Sequence, residues 1–213
     1  MKILVIGSTG PQGREFVGQA LTAGHAVCAF ARNPAALQTA PGLEVVRGDV
    51  FDQRSLDAAA RGQDAAVSML GVSFPAARKP TNVFSQGTRN LIAALKAAGV
   101  RRLIVQSSFG VGDSRRDAGL LERVFYSLLL RGAYADKLLQ EQTVRESGLD
   151  YTIVRPTRLT MGAGAGRYTA RVGPGPVPSS IARADVARFI LDALTTRDYV
   201  GKTVSLGGPD RSH

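Results

Sequence analysis

Gly7-Ser8-Thr9-Gly10-Pro11-Gln12-Gly13 follows the apolar run Ile3-Leu4-Val5-Ile6 and opens a helical pattern. Between a strand and a helix, glycines at this spacing serve three purposes. One makes the tight turn, a second lets a pyrophosphate reach the backbone, and a third lets the helix pack close to the sheet. The positive end of the helix dipole then faces the anion. The spacing is Gly-x-x-Gly-x-x-Gly, a variant of the Gly-x-Gly-x-x-Gly dinucleotide fingerprint. Gly7, Ser8, Thr9, Gly10, Pro11, Gln12 and Gly13 are therefore read as a cofactor loop.

The next apolar run ends in Ala31-Arg32-Asn33-Pro34. An NAD site places Asp or Glu near this point to hold the ribose hydroxyls. A carboxylate would repel a 2′-phosphate, whereas a guanidinium grips it, so Arg32 selects NADP(H). Later strand ends line the same crevice, because ligands sit beyond the carboxyl ends of parallel strands. Asp49 and Val50 are expected at the adenine, and Leu70 and Gly71 as the wall near the riboses. Ser107, Ser108 and Phe109 fall where the nicotinamide and an acceptor meet, with Pro156 shaping the loop at that end. Arg158, Arg167 and Arg171 are candidates for gripping an anionic acceptor. His25 and His213 are read as non-catalytic, and Cys28 as a small buried apolar residue.

The elements that position these residues alternate along the chain. Strand-like runs are Ile3–Ile6, His25–Ala31, Leu43–Val46, Ala65–Leu70, Leu103–Val105, Tyr151–Val154 and Thr203–Leu206. Helical patterns cover Gln12–Ala23, Arg54–Arg61, Val83–Ala98, Leu120–Leu130, Asp136–Ser147 and Arg183–Leu194. Continuous apolar strands joined by helices mean a parallel sheet covered on both faces. The expectation is one α/β domain over residues 1–213, a Rossmann-like doubly wound sheet. Its small carboxy-terminal substrate region covers about 157–182, and the Gly- and Pro-rich stretch Met161–Ser180 is read as an unstructured binding loop.

Composition narrows the class. The 213 residues are 44% apolar and 21% charged, which excludes long disorder, collagen and coiled coil. No apolar run is long enough to span a membrane, and one cysteine permits no internal disulfide. A cytoplasmic protein, monomeric or weakly dimeric, is expected. Lys plus Arg number 27 against 17 Asp plus Glu, a net +10 that attracts phosphorylated and other anionic ligands. The arginines are scattered, without a basic block, a zinc-ligand spacing or an aromatic RNA motif. No metal and no dedicated nucleic-acid partner are expected.

The glycine loop, the Arg32 turn, Gly48-Asp49-Val50, Ser107-Ser108, Arg145–Tyr151 and Ile181–Ala187 resemble the atypical short-chain dehydrogenase/reductases, the NmrA-like NAD(P)-binding proteins. Within them the chain is most similar to the flavin reductase/biliverdin-IXβ reductase type, and the resemblance reaches Tyr199. It implies NADPH-dependent reduction of flavins and related conjugated acceptors, with Ser108 matching the family's active-site serine. Two departures stand out. The ordinary short-chain enzymes use Tyr-x-x-x-Lys, which places both groups on one helix face so that the lysine lowers the tyrosine pKa. Here Lys137 matches the lysine, but Ala133 occupies the tyrosine position, and Tyr134 beside it reads as a surface or packing residue. Arg158 stands where the biliverdin reductase site carries a histidine, which counts against a tetrapyrrole substrate. The expected function is hydride transfer from NADPH to a flavin, quinone or tetrapyrrole-like aromatic acceptor, with Ser108 and Lys137 at the chemistry and Arg158 and Phe109 at the acceptor. The missing tyrosine keeps a second reading, an NADP(H)-binding sensor of the NmrA kind without turnover.

Overall fold

The computed structural model describes residues 1–119 and 129–209. Strands β1 (Lys2–Ile6), β2 (Ala26–Ala31), β3 (Leu43–Arg47), β4 (Ala65–Ser68), β5 (Arg102–Gln106), β6 (Asp150–Pro156) and β10 (Lys202–Gly207) are parallel, in spatial order β3-β2-β1-β4-β5-β6-β10. Because successive side chains point to opposite faces, each strand feeds two cores. Ile3, Val5, Val27, Ala29, Val67, Ile104 and Val154 face one apolar cluster. Leu4, Ile6, Cys28, Phe30, Leu103, Val105 and Ile153 face the other. The first is closed by α1 (Pro11–Thr22) and α6 (Arg183–Thr195), which contribute Phe16, Val17, Ala20, Val186, Phe189, Ile190 and Leu194 at helical spacing. The second is closed by α2 (Gln53–Ala60), α4 (Val83–Ala97) and α5 (Arg131–Arg145), through residues such as Leu56, Leu91, Leu95 and Val144. A short α3 (Phe74–Ala77) precedes α4.

The strand order reverses between β1 and β4, so the crevice of a doubly wound sheet opens beyond their carboxyl ends. The expected helix at Leu120–Leu130 falls mostly on residues 120–128, outside the described part. Among the described residues no helix is long and apolar enough to cross a membrane.

The carboxy-terminal region corrects one expectation. Met161–Ser180 is not an unstructured loop: Thr169–Val172 forms β8, antiparallel on the open edge of β10. The strand forms because β10 would otherwise expose its backbone donors and acceptors along that edge. The flanking turns are also tied down. Asp185 accepts from the N–H groups of Ala165 and Gly166, each at 3.0 Å. Asp117 accepts from the Gly175 N–H at 2.9 Å, and the Thr157 hydroxyl donates to the Pro178 carbonyl at 2.9 Å. A two-stranded parallel ribbon, β7 (Arg158–Thr160) with β9 (Ser180–Ala182), joins this region to the main sheet.

A buried ion cluster holds the loop after β5 against β6. Arg155 of β6 donates from Nε and Nη2 to the two oxygens of Glu141 on α5, at 2.9 and 2.6 Å. Its Nη1 reaches Asp113 Oδ1 at 2.6 Å, and Arg145 adds a contact to Glu141 at 2.8 Å. Burial alone would raise the Glu141 carboxyl, but the hydrogen bonds and charge of Arg155 outweigh it and hold the group below its ordinary value. Removing one partner strands the other charge in the interior, which costs about 3–5 kcal/mol. Glu141→Gln is therefore expected to lower the melting temperature by about 10 °C at neutral pH. A depressed carboxylate pKa stabilises the fold above the unfolded value, near 4.5, and that contribution is lost as pH falls through the folded value. Thermal melts from pH 7 to pH 3 should show the variant losing less stability on acidification than the native chain.

Candidate functional site

The glycine loop leaves β1 at Gly7, whose φ of +79° only glycine adopts freely. A Cβ there would stand 2.3 Å from the Met69 carbonyl at the end of β4. One at Gly13 would meet the Gly7 carbonyl at 2.1 Å, so the first turn of α1 lies directly on the end of β1. Gly10 is different. Its backbone is ordinary extended chain (φ −70°, ψ 161°), and a Cβ would meet only the Gly7 carbonyl, at an unremarkable 3.5 Å. Packing does not require glycine at this position; a ligand pressed against the backbone does. Pro11 occupies the first helical turn, no side chain caps α1, and no acidic residue lies in that turn. The unpaired N–H groups of a helix start are an anion site, and among the described residues no side chain caps this one. These residues fit a dinucleotide.

Two loop side chains face away from it. Ser8 is fully buried and its hydroxyl donates to the Phe30 carbonyl of β2 at 3.1 Å. Gln12 is buried and donates from Nε2 to the Arg183 carbonyl at 3.1 Å. Both serve the loop as structural braces and can offer a cofactor only their backbone. The Thr9 carbonyl accepts from Arg14 Nε at 2.9 Å. Arg32 lies two residues beyond Phe30, exposed, with no carboxylate of the described residues within 4.0 Å. Asp49 is half-buried and caps its own turn, accepting from the Phe51 N–H at 3.0 Å. Val50 is buried, and its carbonyl accepts from Asn90 at 2.9 Å. Leu70 bridges two apolar clusters and Gly71 is exposed with open space around it.

On the acceptor side, the loop after β5 is zipped to β6. Ser107 N donates to the Val154 carbonyl at 2.7 Å and Phe109 N to the Pro156 carbonyl at 3.0 Å. Ser107 and Phe109 are buried and Ser108 is half-buried, so Ser108 has the most accessible side chain of the three. Arg158 is exposed just past Pro156. Lys137 of α5 is buried, with Nζ 3.4 Å from the Gln106 carbonyl at the end of β5 and 4.3 Å from the centre of the Phe84 ring. Burial pushes its ammonium down to about 8, against the opposing pull of Glu141 and Asp136. Thus the loop, Arg32, Ser107, Ser108, Lys137 and Pro156 are all placed at the carboxyl ends of the strands.

Tyr134, read from the sequence as a surface or packing residue, is half-buried, and its hydroxyl donates to the Phe109 carbonyl at 3.0 Å, one helical turn before Lys137. Sequence reasoning missed Asp136, Gln140 and Glu141 on α5. Asp136 accepts from the N–H groups of Phe84 and Ser85 and from the Ser85 hydroxyl, capping α4 from a different helix. One signal was available. Asp136, Lys137, Gln140 and Glu141 recur at the spacing an amphipathic helix reserves for its apolar stripe, and all four are buried. Polar residues at those positions mark a network.

The contrast between two glycines is testable. Gly13→Ala forces backbone atoms apart and should lower the melting temperature by several degrees, since overpacking of this kind costs about 1–3 kcal/mol. Gly10→Ala should leave the melting temperature unchanged while weakening nucleotide binding in a calorimetric titration.

Comparison with known proteins gives the family. Residues 7–197 match the family model described as NAD(P)H-binding. A (4-alkanoyl-5-oxo-2,5-dihydrofuran-3-yl)methyl phosphate reductase of Streptomyces griseus is 33% identical, over 98% of this chain and 68% of its own length. The anaerobillin reductase ChuY of Escherichia coli O157:H7 superposes with a TM-score of 0.82 at 26% identity, covering 100% of both chains. A short-chain dehydrogenase/reductase of Veillonella parvula, solved in complex with NADP, shares the fold at 18% identity with a TM-score of 0.82, covering 100% of this chain and 96% of its own. With a cofactor loop that leaves α1 uncapped, and a family match from that loop to the end of the last helix, the chain belongs to the NAD(P)H-binding family.

Proposed function

We propose that the protein is an NADPH-dependent reductase of a flat conjugated acceptor, a flavin or a quinone- or tetrapyrrole-like molecule. The observation that carries this reading is the acceptor side of the crevice. Lys137 is present, but Ala133 is buried where a tyrosine acid would stand, and the Tyr134 hydroxyl donates to the Phe109 backbone. A carbonyl acceptor needs a placed acid; a conjugated ring system takes hydride when the two rings are aligned, with solvent supplying the proton. Alignment alone is worth about 7–11 kcal/mol of barrier. The names of two relatives, one a furanylmethyl phosphate reductase and one an anaerobillin reductase, support reduction as the chemistry.

The bound nicotinamide supplies the hydride. The chain's own residues do the rest. Gly7, Gly10 and Gly13 with the start of α1 hold the pyrophosphate, and Arg32 holds the 2′-phosphate. Asp49 and Val50 border the adenine, Leu70 and Gly71 the riboses, and Ser107 and Pro156 the nicotinamide end. Ser108 presents its hydroxyl to the acceptor against the wall made by Phe109, and Arg158 faces an anionic substituent. Lys137 places a buried positive charge under the end of β5. The exposed arginines suit a small anionic acceptor.

Mixing the protein with NADPH and FMN, riboflavin, a quinone or a linear tetrapyrrole tests the reading: NADPH oxidation with at least one acceptor is expected. Nucleotide binding without turnover on any of them would instead identify a sensor. In an active preparation, Arg32→Ala should raise the KM for NADPH about ten- to a hundredfold, the worth of a charge-assisted hydrogen bond, and leave that for NADH unchanged. The ammonium of Lys137 is lost above about pH 8, so kcat/KM should fall on the alkaline side of that value. Lys137→Met should lower the rate and flatten that limb.

A further inference from the structure

We propose that Arg183 is a cofactor-binding residue, a second cation for the pyrophosphate beside the start of α1; this rests on the glycine loop binding NADP(H). Arg183 is the first residue of α6, within the Ile181–Ala187 segment, and no role has been assigned to it above.

Its position is set from α1. Gln12, buried in the first turn of α1, donates Nε2 to the Arg183 carbonyl at 3.1 Å. Two turns further along the same face, Gln19 donates to the Ala184 carbonyl at 3.0 Å. Two amide side chains thus hold the start of α6 against α1, whose first N–H groups have no cap. The Gln12 side chain joins Arg183 directly to the helix turn that receives the anion.

Among the described residues the guanidinium has no adequate partner. Its Nη1 contacts the Met161 sulfur at 3.2 Å, a weak acceptor. Its Nε is buried without a hydrogen-bond partner, and no carboxylate of the described residues lies within 4.0 Å. The acid nearest in sequence, Asp185, spends both oxygens on the N–H groups of Ala165 and Gly166. A half-buried cation without a counter-charge is unfavourable, and a pyrophosphate at α1 supplies that charge. Met161 is 78% exposed and unbranched, so it yields readily when the arginine turns.

The geometry separates this role from gripping the acceptor. In the β7–β9 ribbon, Arg158 pairs with Ser180 and Thr160 with Ala182, so Arg183 stands level with residue 161. Three residues of strand, about 10 Å, separate it from Arg158. Arg158 sits at the β6 end, next to the loop of Ser108; Arg183 sits at the α1 end. The nearby Arg14 is occupied in shaping the loop, with Nε on the Thr9 carbonyl.

Calorimetric titration of the full-length chain with NADP⁺ and with NAD⁺ tests the assignment. The pyrophosphate is common to both nucleotides, so Arg183→Gln should weaken both by the same factor, about ten- to a hundredfold, and leave their ratio intact. Arg32→Ala should change the ratio. Arg183→Lys should recover part of the loss, because an ammonium keeps the charge without the forked geometry. The ligand-free melting temperature of these variants should match the native one; if the Gln variant does not fold, Arg183→Met, which retains the stem, replaces it. Native affinity for both nucleotides in Arg183→Gln would overturn the proposal, as would a loss confined to NADP⁺. If the native chain bound neither nucleotide, the cofactor reading itself would fall, and this assignment with it.

Discussion

Helix α1 begins directly against the end of β1, so close that a methyl group at Gly13 would strike the carbonyl of Gly7. This contact decides what the start of the helix can do. It sets the first turn over the switch in strand order, and it leaves the first N–H groups facing the crevice without a cap. Ser8, anchored on β2, and Gln12, anchored on α6, hold the loop from both sides. The ligand end of the molecule is built around a helix terminus that the protein positions and does not satisfy.

The acceptor side relies on a different device, a belt of buried polar groups on α5. Asp136 caps α4, Lys137 reaches the end of β5, Gln140 donates to Thr88, and Glu141 pairs with Arg155 of β6. They join α5 to α4, β5 and β6. Together with Asp113 they support the loop of Ser107, Ser108 and Phe109, which is also held by two backbone hydrogen bonds to β6 and by the Tyr134 hydroxyl. The arrangement is rigid because a buried charge released from its partner has nowhere favourable to go.

The same economy explains the field at the mouth. Asp113, Asp117 and Asp185 are each engaged with an internal donor. Among the described residues Arg32, Arg158, Arg167 and Arg183 have no carboxylate within 4.0 Å. Acidic side chains here are used to build, and these arginines keep a charge that no described carboxylate neutralises. A net charge of +10 attracts phosphorylated and anionic molecules.

Local pattern was enough for much of this. Apolar runs located the parallel strands, because strands covered on both faces must be apolar throughout. The glycine spacing located the cofactor loop, because backbone proximity permits no side chain there, and the absence of an acid after β2 pointed to Arg32. The antiparallel β8 was not legible: a short strand among glycines and prolines forms only because the edge of β10 is open. Nor were the Asp136 cap, the Arg155–Glu141 pair or the placement of Arg183, which join residues 14 to 171 positions apart. The sequence by itself determined the fold class and the phosphate loop, which follow from interactions among near neighbours. Only the tertiary structure decided which charges are spent on packing and which remain for ligands, because a partner's identity depends on what folding brings within hydrogen-bonding distance.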